Sequence, residues 1–174
     1  MTAADSNAQR RIEVDEALLS IEIPRRILND LYAHAIETLP EECCGLIAGT
    51  QDERFRRLVR CRNEMTLRHK ADPREFPRDG TQAFYMNPLD YLIAQDEAEA
   101  RGERVTAVYH SHVGAGAYLS GMDLAYAESE NFPFPDADHI VVALLDRRVD
   151  SVAYFRKDRA RRSFVGRTVV SSGT

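Results

Sequence analysis

The chain has 174 residues, which is about the length of one globular domain. Hydrophobic residues make up 44% and charged residues 29%, as is typical of a soluble globular protein. The net charge of −5 argues against a general nucleic-acid binder, and every apolar run is shorter than the roughly 18 residues that span a bilayer.

Polar tails are predicted on both sides of one domain. Residues 1–16 are polar and lack the apolar core of a signal peptide, so we expect a frayed tail there. The domain is predicted over 17–170, and a short Ser/Gly tail follows over 171–174. No internal repeat and no second domain is evident.

The three cysteines do not form a disulfide framework. Cys43 and Cys44 are adjacent, and Cys61 makes the total odd, which suits a reducing cytoplasm. Structural zinc sites usually space their cysteines by roughly two to four residues, so we expect small buried core residues rather than ligands.

The first regular elements are a strand predicted over 17–23 and a helix predicted to begin at Pro24. Apolar residues at helical spacing continue the helix until Pro40 interrupts it. His34 lies within it, and we expect this histidine to be at the surface or satisfied by a neighbour. An apolar strand is predicted next, over 44–48.

A basic region follows the second strand. After a strand predicted over 55–61, residues 63–82 have two prolines and no persistent periodicity, which predicts a long loop. Residues 53–79 contain nine basic and five acidic side chains, a net charge of +4. This charge forms either a solvated face or a patch that attracts an acidic protein partner. His69, in the loop, has no assigned role.

The next elements lead into a histidine-bearing strand. A short strand is predicted over 83–86, then a helix with Asn87 as its cap and Pro88 in its first turn, which Gly102 ends. A strand is predicted over 105–112 because this stretch is rich in β-branched and aromatic residues.

Within that strand, His110 and His112 stand two positions apart and therefore project from one face, while Ser111 points away. A Gly-rich turn over 113–119 then precedes Ser120 and the start of another helix. Two strand histidines can also be merely solvated or hydrogen-bonded to neighbours.

Asp123 can complete a metal site. The turn is long enough to fold its carboxylate back onto His110 and His112, and a two-histidine, one-carboxylate set leaves a fourth position open, as in catalytic zinc sites. The pattern S-x-x-D at a helix start can also be only a cap, with Ser120 accepting backbone N–H bonds.

Three further strands are predicted towards the end of the chain, over 139–145, 149–156 and 163–170, with a turn between the first two. Strands and helices in mixed order predict an α/β fold with a curved mixed sheet flanked by helices.

The spacing H-S-H, seven residues, S, two residues, D resembles the signature of the JAMM (MPN+) zinc metalloproteases. That family also carries a glutamate in an E-x-x-G segment before a strand, and Glu42 occupies this position ahead of Gly45. The neighbouring Glu41 is interpreted as a solvated acid. The resemblance covers about 21–155 and implies a single MPN domain, related to the cytidine-deaminase fold.

This resemblance implies a mechanism and a site. Zinc would be bound by His110, His112 and Asp123, and Glu42 would act as the general base that later protonates the leaving amine. Ser120 would donate a hydrogen bond to the oxyanion, unless it serves only as a helix cap.

The resemblance also implies a substrate class. Small prokaryotic members trim peptides or amino acids from the Gly-Gly tails of ubiquitin-like sulfur-carrier proteins or cleave ubiquitin-like conjugates, and the sequence does not separate these two activities. The loop over 63–82 would border the groove for the tail, which can be captured as an added strand. Neither a nucleic-acid nor a membrane partner is expected, and a homodimer is left open.

One departure from the family pattern concerns the turn after the histidines. Many relatives carry prolines where this chain has Val113 and Leu119, and the turn also includes Gly114 and Gly116. We therefore expect a looser loop.

Three rival interpretations are weaker. A non-catalytic MPN-type interaction module would lack a ligand or the glutamate, and this chain has them all. The H-x-E and P-C-x-x-C motifs of zinc deaminases are absent, and so is the H-E-x-x-H motif of another metalloprotease class.

Overall fold

The computed structural model describes residues 10–173 of the chain. Within this range the backbone forms seven strands and four helices. In chain order these are β1 (Ile21–Pro24), α1 (Arg25–Thr38), β2 (Cys44–Gly49), β3 (Arg57–Cys61), α2 (Met65–Ala71), α3 (Pro88–Ala100), β4 (Arg104–Val113), α4 (Gly121–Ala127), β5 (Asp138–Leu145), β6 (Arg148–Asp158) and β7 (Ser163–Ser172).

All seven strands belong to one mixed sheet in the order β1-β7-β6-β5-β4-β2-β3. The pairs β1–β7 and β4–β5 are parallel, and the other neighbours are antiparallel. The chain between β4 and β5 passes through α4, as a parallel connection requires. The predicted α/β architecture of a curved mixed sheet with flanking helices is confirmed.

The core lies on both faces of the central strands. On β2, Leu46 packs into the apolar cluster that includes Ala94 of α3, whereas its neighbour Ile47 packs into the cluster around α1. Strands covered on both faces read as continuous apolar runs, which is why β2 and β5 are evident in the sequence. Among residues 10–173, no helix is long and apolar enough to cross a membrane.

The N-terminal elements differ from the prediction. The strand begins at Ile21 rather than at residue 17, and Pro24 is its last residue and the N-cap of α1 instead of the first helical residue. Ile12 pairs with Leu119 in an isolated bridge and packs on the apolar cluster beneath it, so the domain extends into the predicted tail over 1–16.

The predicted tails are only partly described. Residues 1–9 and 174 lie outside the described residues. At the other end, β7 continues to Ser172, two residues beyond the predicted domain limit at residue 170.

Two predictions between β3 and α3 are wrong. The predicted long loop over 63–82 contains the helix α2, which buries only Met65 and therefore leaves no apolar period in the sequence. The predicted strand over 83–86 forms only one isolated bridge, between Met86 and Asn63.

The helix after this region is predicted correctly. Asn87 caps α3 by accepting a hydrogen bond from the Asp90 N–H at 2.9 Å, and Pro88 is its first residue. Gly102 has a φ of +69°, a backbone conformation that suits glycine at a helix end. The three cysteines are buried and free, as expected.

Candidate metal centre

The strand β4 brings two imidazole rings together on one face of the sheet. The Nε2 atoms of His110 and His112 are 3.2 Å apart, and the side chains are buried, with 0% and 7% exposure. Ser111, between them, points the other way, and its Oγ accepts a hydrogen bond from the Cys43 N–H at 2.8 Å. The alternation of a strand therefore produces the predicted pair.

Asp123, in the first turn of α4, completes the cluster. Its Oδ1 lies 3.2 Å from His110 Nε2, and its Oδ2 lies 3.4 Å from His112 Nε2. Burial alone would raise the pKa of Asp123, but the two imidazoles outweigh it and hold that pKa well below its usual range. Burial would likewise lower the pKa of His112, but Asp123 outweighs it and raises that pKa.

The cluster has the spacing that a small metal ion needs. One donor atom from each of His110, His112 and Asp123 lies within 4.8 Å of the others. Tetrahedral zinc, with bonds of about 2.0–2.2 Å, separates its ligand atoms by about 3.3 Å. The 3.2 Å between the two histidine nitrogens fits that value, and each nitrogen lies 3.2 or 3.4 Å from a different oxygen of the Asp123 carboxylate. Imidazole nitrogen with carboxylate oxygen is a zinc donor set.

The two rings are oriented by different means. His112 Nδ1 is 2.8 Å from the Gly116 carbonyl oxygen, and donation there leaves the Nε2 lone pair facing the cluster. His110 Nδ1 has no hydrogen-bond partner among the described residues, and its ring is held by packing. Phe84 stacks on it with ring centroids 4.6 Å apart.

Ser120 forms the N-cap of α4 and also contacts the carboxylate of the cluster. Its Oγ accepts a hydrogen bond from the Asp123 N–H at 3.1 Å and donates one to Asp123 Oδ2 at 2.7 Å. The Ser120 N–H donates to the same Oδ2 at 2.8 Å, which completes a capping box. The serine therefore orients Asp123 towards the two histidines.

Glu42 lies at the entry to β2 and lines the same cavity as His112, Ser120 and Asp123. Its exposure is 6%. Burial raises the pKa of Glu42 to about 8; the positive charge of His112 lowers it and the negative charge of Asp123 raises it. Such a carboxyl group exchanges a proton near neutral pH.

The Glu42 backbone is held on both sides by the segment that follows β3. Its N–H donates to the Gly80 carbonyl at 2.7 Å, and its carbonyl accepts a hydrogen bond from Asn63 Nδ2 at 3.0 Å. Asn63 Nδ2 also donates to the Ala83 carbonyl at 3.1 Å. The glutamate is therefore fixed by contacts to residues far along the chain.

Gly45, the glycine of the E-x-x-G segment, occupies a position that has no room for a side chain. A Cβ at this position would clash with the backbone carbonyl of Val59 in β3 and with the Tyr109 hydroxyl in β4. That hydroxyl lies 2.8 Å from His34 Nδ1. The glycine thus serves packing between strands, and His34 is satisfied by a neighbour, as expected.

The cavity has a volume of about 530 Å³ and is bordered by the predicted loop region over 63–82. Sequence reasoning missed Phe84, Arg78 and Tyr118, which line it, and Asn63, which supports it. Of these four residues, only Phe84 lies in a stretch with a sequence signal, the aromatic pair at 84–85, which is typical of a strand.

Besides His34, two histidines lie outside the cluster. His69 Nδ1 is 2.7 Å from the Phe76 carbonyl oxygen, a contact that fastens α2 to the following loop. His139 is buried between Phe132 and Phe164, and burial lowers its pKa to about 3.

Comparisons with known proteins agree with this architecture. Residues 24–157 match the family model Prok-JAB, described as prokaryotic homologs of the JAB domain. The chain is similar to a solution structure from Salinibacter ruber, with 26% identity, a TM-score of 0.58, and 87% of this chain and 92% of that chain covered. A solution structure from Desulfitobacterium hafniense shares the fold, with 19% identity, a TM-score of 0.62, and 88% and 93% covered.

Another relative is named for a role in assembly. Tail tip assembly protein K of Escherichia phage N15 is 32% identical to this chain over 117 residues, which are 67% of this chain. The chain spans 39% of the length of that relative.

Proposed function

Because the chain belongs to the Prok-JAB family, we propose that it is a zinc-dependent hydrolase of peptide or isopeptide bonds. One observation carries the proposal: three metal-donor side chains converge within 4.8 Å, and a buried carboxylate, Glu42, lines the same cavity. Buried charged groups without a partner or a task are costly, so their concentration at one point favours a functional site.

His110, His112 and Asp123 are the proposed zinc ligands, since their types and spacings fit that ion. When bound there, zinc supplies Lewis acidity towards a water molecule and a carbonyl oxygen. The negative charge of Asp123 balances part of the charge of the ion. Ser120 and Gly116 hold Asp123 and His112 in place through hydrogen bonds.

Glu42 moves the proton in the proposed reaction. Its carboxylate takes a proton from the attacking water and delivers it to the leaving nitrogen. The carbon–nitrogen bond breaks, the water oxygen forms the new carbon–oxygen bond, and the amine leaves with the proton. The contacts of its backbone to Gly80 and Asn63 keep the carboxylate aimed into the cavity.

Ser120 is proposed as a second participant. Its hydroxyl borders the cavity and donates to Asp123 Oδ2, so rotation about χ1 would turn the same hydrogen towards a developing oxyanion. One good donor of this kind is worth on the order of 3 kcal/mol in the transition state.

The proposed substrate is the C-terminal Gly-Gly tail of a ubiquitin-like or sulfur-carrier protein. The imidazoles are buried and His112 lines the cavity, so the scissile bond has to enter the cavity to reach them. A tail without side chains needs the least room there. The sulfur-carrier and conjugate versions of this substrate remain separate hypotheses.

A second candidate function is a role in assembly without catalysis, which the similarity to Tail tip assembly protein K favours. An assembly domain would need no acid beside a metal-donor cluster. A chain that binds a protein partner but takes up no zinc would support this second candidate.

The test combines metal content with hydrolysis. We expect about one zinc per chain, lost when His110→Ala and His112→Ala are combined. Zinc-loaded protein is incubated with a ubiquitin-like carrier extended beyond its Gly-Gly end, and mass spectrometry detects the newly exposed end.

Matched variants separate Glu42 from its neighbour. Glu42→Gln should keep zinc and lose hydrolysis. Glu41→Gln makes the same change one residue earlier, where the carboxylate accepts a hydrogen bond from the Thr66 hydroxyl at 2.6 Å, and it should stay active. Full turnover by Glu42→Gln would remove this residue as the base.

A further inference from the structure

The loop over 76–82 is fastened directly to the candidate base. The Gly80 N–H donates to Thr66 Oγ1 at 2.9 Å, and the Gly80 carbonyl accepts the Glu42 N–H at 2.7 Å. At the start of the loop, the Phe76 carbonyl contacts His69. The backbone of this loop therefore keeps a defined position relative to Glu42.

Arg78 stands on this loop, two residues before Gly80, and its side chain lines the cavity. It is the one guanidinium among the described residues that border the cavity. Its positive charge acts on the Glu42 carboxylate. Arg78 and Glu42 therefore border the same cavity, in which the proposed reaction delivers its proton.

The guanidinium of Arg78 is not used by the fold. Within residues 10–173 it makes neither an ion pair nor a hydrogen bond. Other arginines of the same basic region are paired: Arg57 with Glu103 at 2.9 Å and Arg62 with Asp90 at 2.9 Å. An unpaired arginine at the mouth of a cavity is available to a ligand, and the ligand that matches it best is a carboxylate, which it binds with two parallel hydrogen bonds.

We propose that Arg78 binds the free α-carboxylate of the amino acid or short peptide that leaves, so that the protein trims the C-terminal end of its substrate. This inference rests on the proposed function and specifies its substrate. In a linear C-terminal extension by one residue, the α-carboxylate is two covalent bonds from the nitrogen that Glu42 protonates. In an isopeptide conjugate the leaving nitrogen is at the end of a lysine side chain, far from any carboxylate of that residue.

The experiment compares two chemical forms of the C-terminal end of one peptide. The probes are synthetic peptides that end in Gly-Gly-Ala, one with a free α-carboxylate and one with an α-carboxamide. Zinc-loaded wild-type protein should hydrolyse the carboxylate form with a kcat/KM roughly 10- to 100-fold higher, the range expected for a charge-assisted contact. The difference should appear mainly in KM.

Variants of Arg78 should remove this preference. Arg78→Ala should lower kcat/KM for the carboxylate peptide by about the same factor and change the carboxamide peptide much less, because only the influence of the Arg78 charge on Glu42 is lost there. Arg78→Lys should retain part of the preference because lysine keeps the charge but not the fork of donors. Arg74→Ala is the matched control: it lies in the same basic stretch but outside the cavity lining, and it should behave like wild type.

Binding measurements keep the inference separate from the proposed function. Calorimetric titration of both peptides into zinc-loaded Glu42→Gln, with and without Arg78→Ala, detects the carboxylate site even when no peptide is hydrolysed. Tighter binding of the carboxylate peptide that Arg78→Ala removes supports the inference even if hydrolysis fails. The inference is wrong if wild type binds and hydrolyses the carboxylate and carboxamide peptides equally well, or if Arg78→Ala weakens the binding and hydrolysis of both peptides by the same factor.

Discussion

Asn63→Asp tests whether the segment after β3 holds the candidate base in place. The Asn63 side chain uses its full hydrogen-bonding capacity: Nδ2 donates to the carbonyls of Glu42 and Ala83, and Oδ1 accepts from the N–H groups of Met65 and Tyr85 at 2.9 Å. Aspartate has almost the same shape and keeps the acceptor, but it replaces two donors with an oxygen that faces two carbonyls.

The expected cost follows from these contacts. Each lost hydrogen bond contributes about 1 kcal/mol, and a carbonyl that is left without a donor costs about 1–3 kcal/mol when buried. Because Asn63 is only half-buried, we expect the free energy of unfolding to fall by about 2–3 kcal/mol, a decrease of about 5–10 °C in Tm. Turnover should fall further, since the backbone of Glu42 loses one of its two anchors.

The penalty should also depend on pH. Two facing carbonyl oxygens favour the protonated aspartic acid, so its folded-state pKa at position 63 is raised above the unfolded value of about 3.9. The folded variant then holds the proton more tightly than the unfolded chain does. The destabilisation is therefore greatest above the raised pKa and shrinks as the pH falls towards 3.9.

Urea denaturation of metal-free protein at pH 7.5 and pH 5 measures the stability, and the peptide assay measures turnover. Asn29→Asp is the matched control because it makes the same charge change on an exposed position of α1. If Asn63→Asp matches this control in both stability and turnover, the proposed anchoring of Glu42 is wrong.

Three further predictions concern single positions. Gly45→Ala should destabilise the fold by about 1–3 kcal/mol, because the new methyl group meets the Val59 backbone and Tyr109; an unchanged denaturation midpoint would contradict this. Ser120→Ala should cost about 1 kcal/mol of cap stability and slow turnover roughly 10²-fold, and a loss of stability alone would leave it as a cap. Burial and the charge of Arg60 lower the pKa of His34 to about 4, so the unfolded state takes up the proton first as the pH falls. The free energy of unfolding should therefore decrease between pH 6.5 and pH 4. Urea denaturation of His34→Gln should show a smaller decrease over this range, and an equal decrease would refute the prediction.

Some of the basic region has a structural use. Within residues 53–79, Arg60 pairs with Asp30 at 2.6 Å and with Glu37 at 2.7 Å on α1, and Arg62 pairs with Asp90 on α3. These pairs account for part of the charge that the sequence left open between a solvated face and a partner-binding patch. Arg78 differs from them because it lies in the cavity lining.

Local rules were sufficient for the elements that carry the metal donors. Strand alternation depends only on neighbouring residues, so H-x-H placed His110 and His112 on one face, and S-x-x-D placed Ser120 and Asp123 in one helix turn. Strands buried on both faces could also be predicted, because each of them is a continuous run of apolar residues.

Tertiary structure alone decided how these elements meet. The helix α2 buries one apolar side chain and so has no sequence period, and the role of Asn63 depends on partners about 20 residues away on both sides. Phe84 stacks on His110, and Arg78 lines the same cavity as Glu42; both arrangements join distant parts of the chain. The sequence by itself determined which atoms can bind the metal and on which face of each element they lie. The packing of the segment over 63–85 against β2 and β4 determined what surrounds those atoms. This packing depends on the path of the whole chain, so no local pattern in the sequence predicts it.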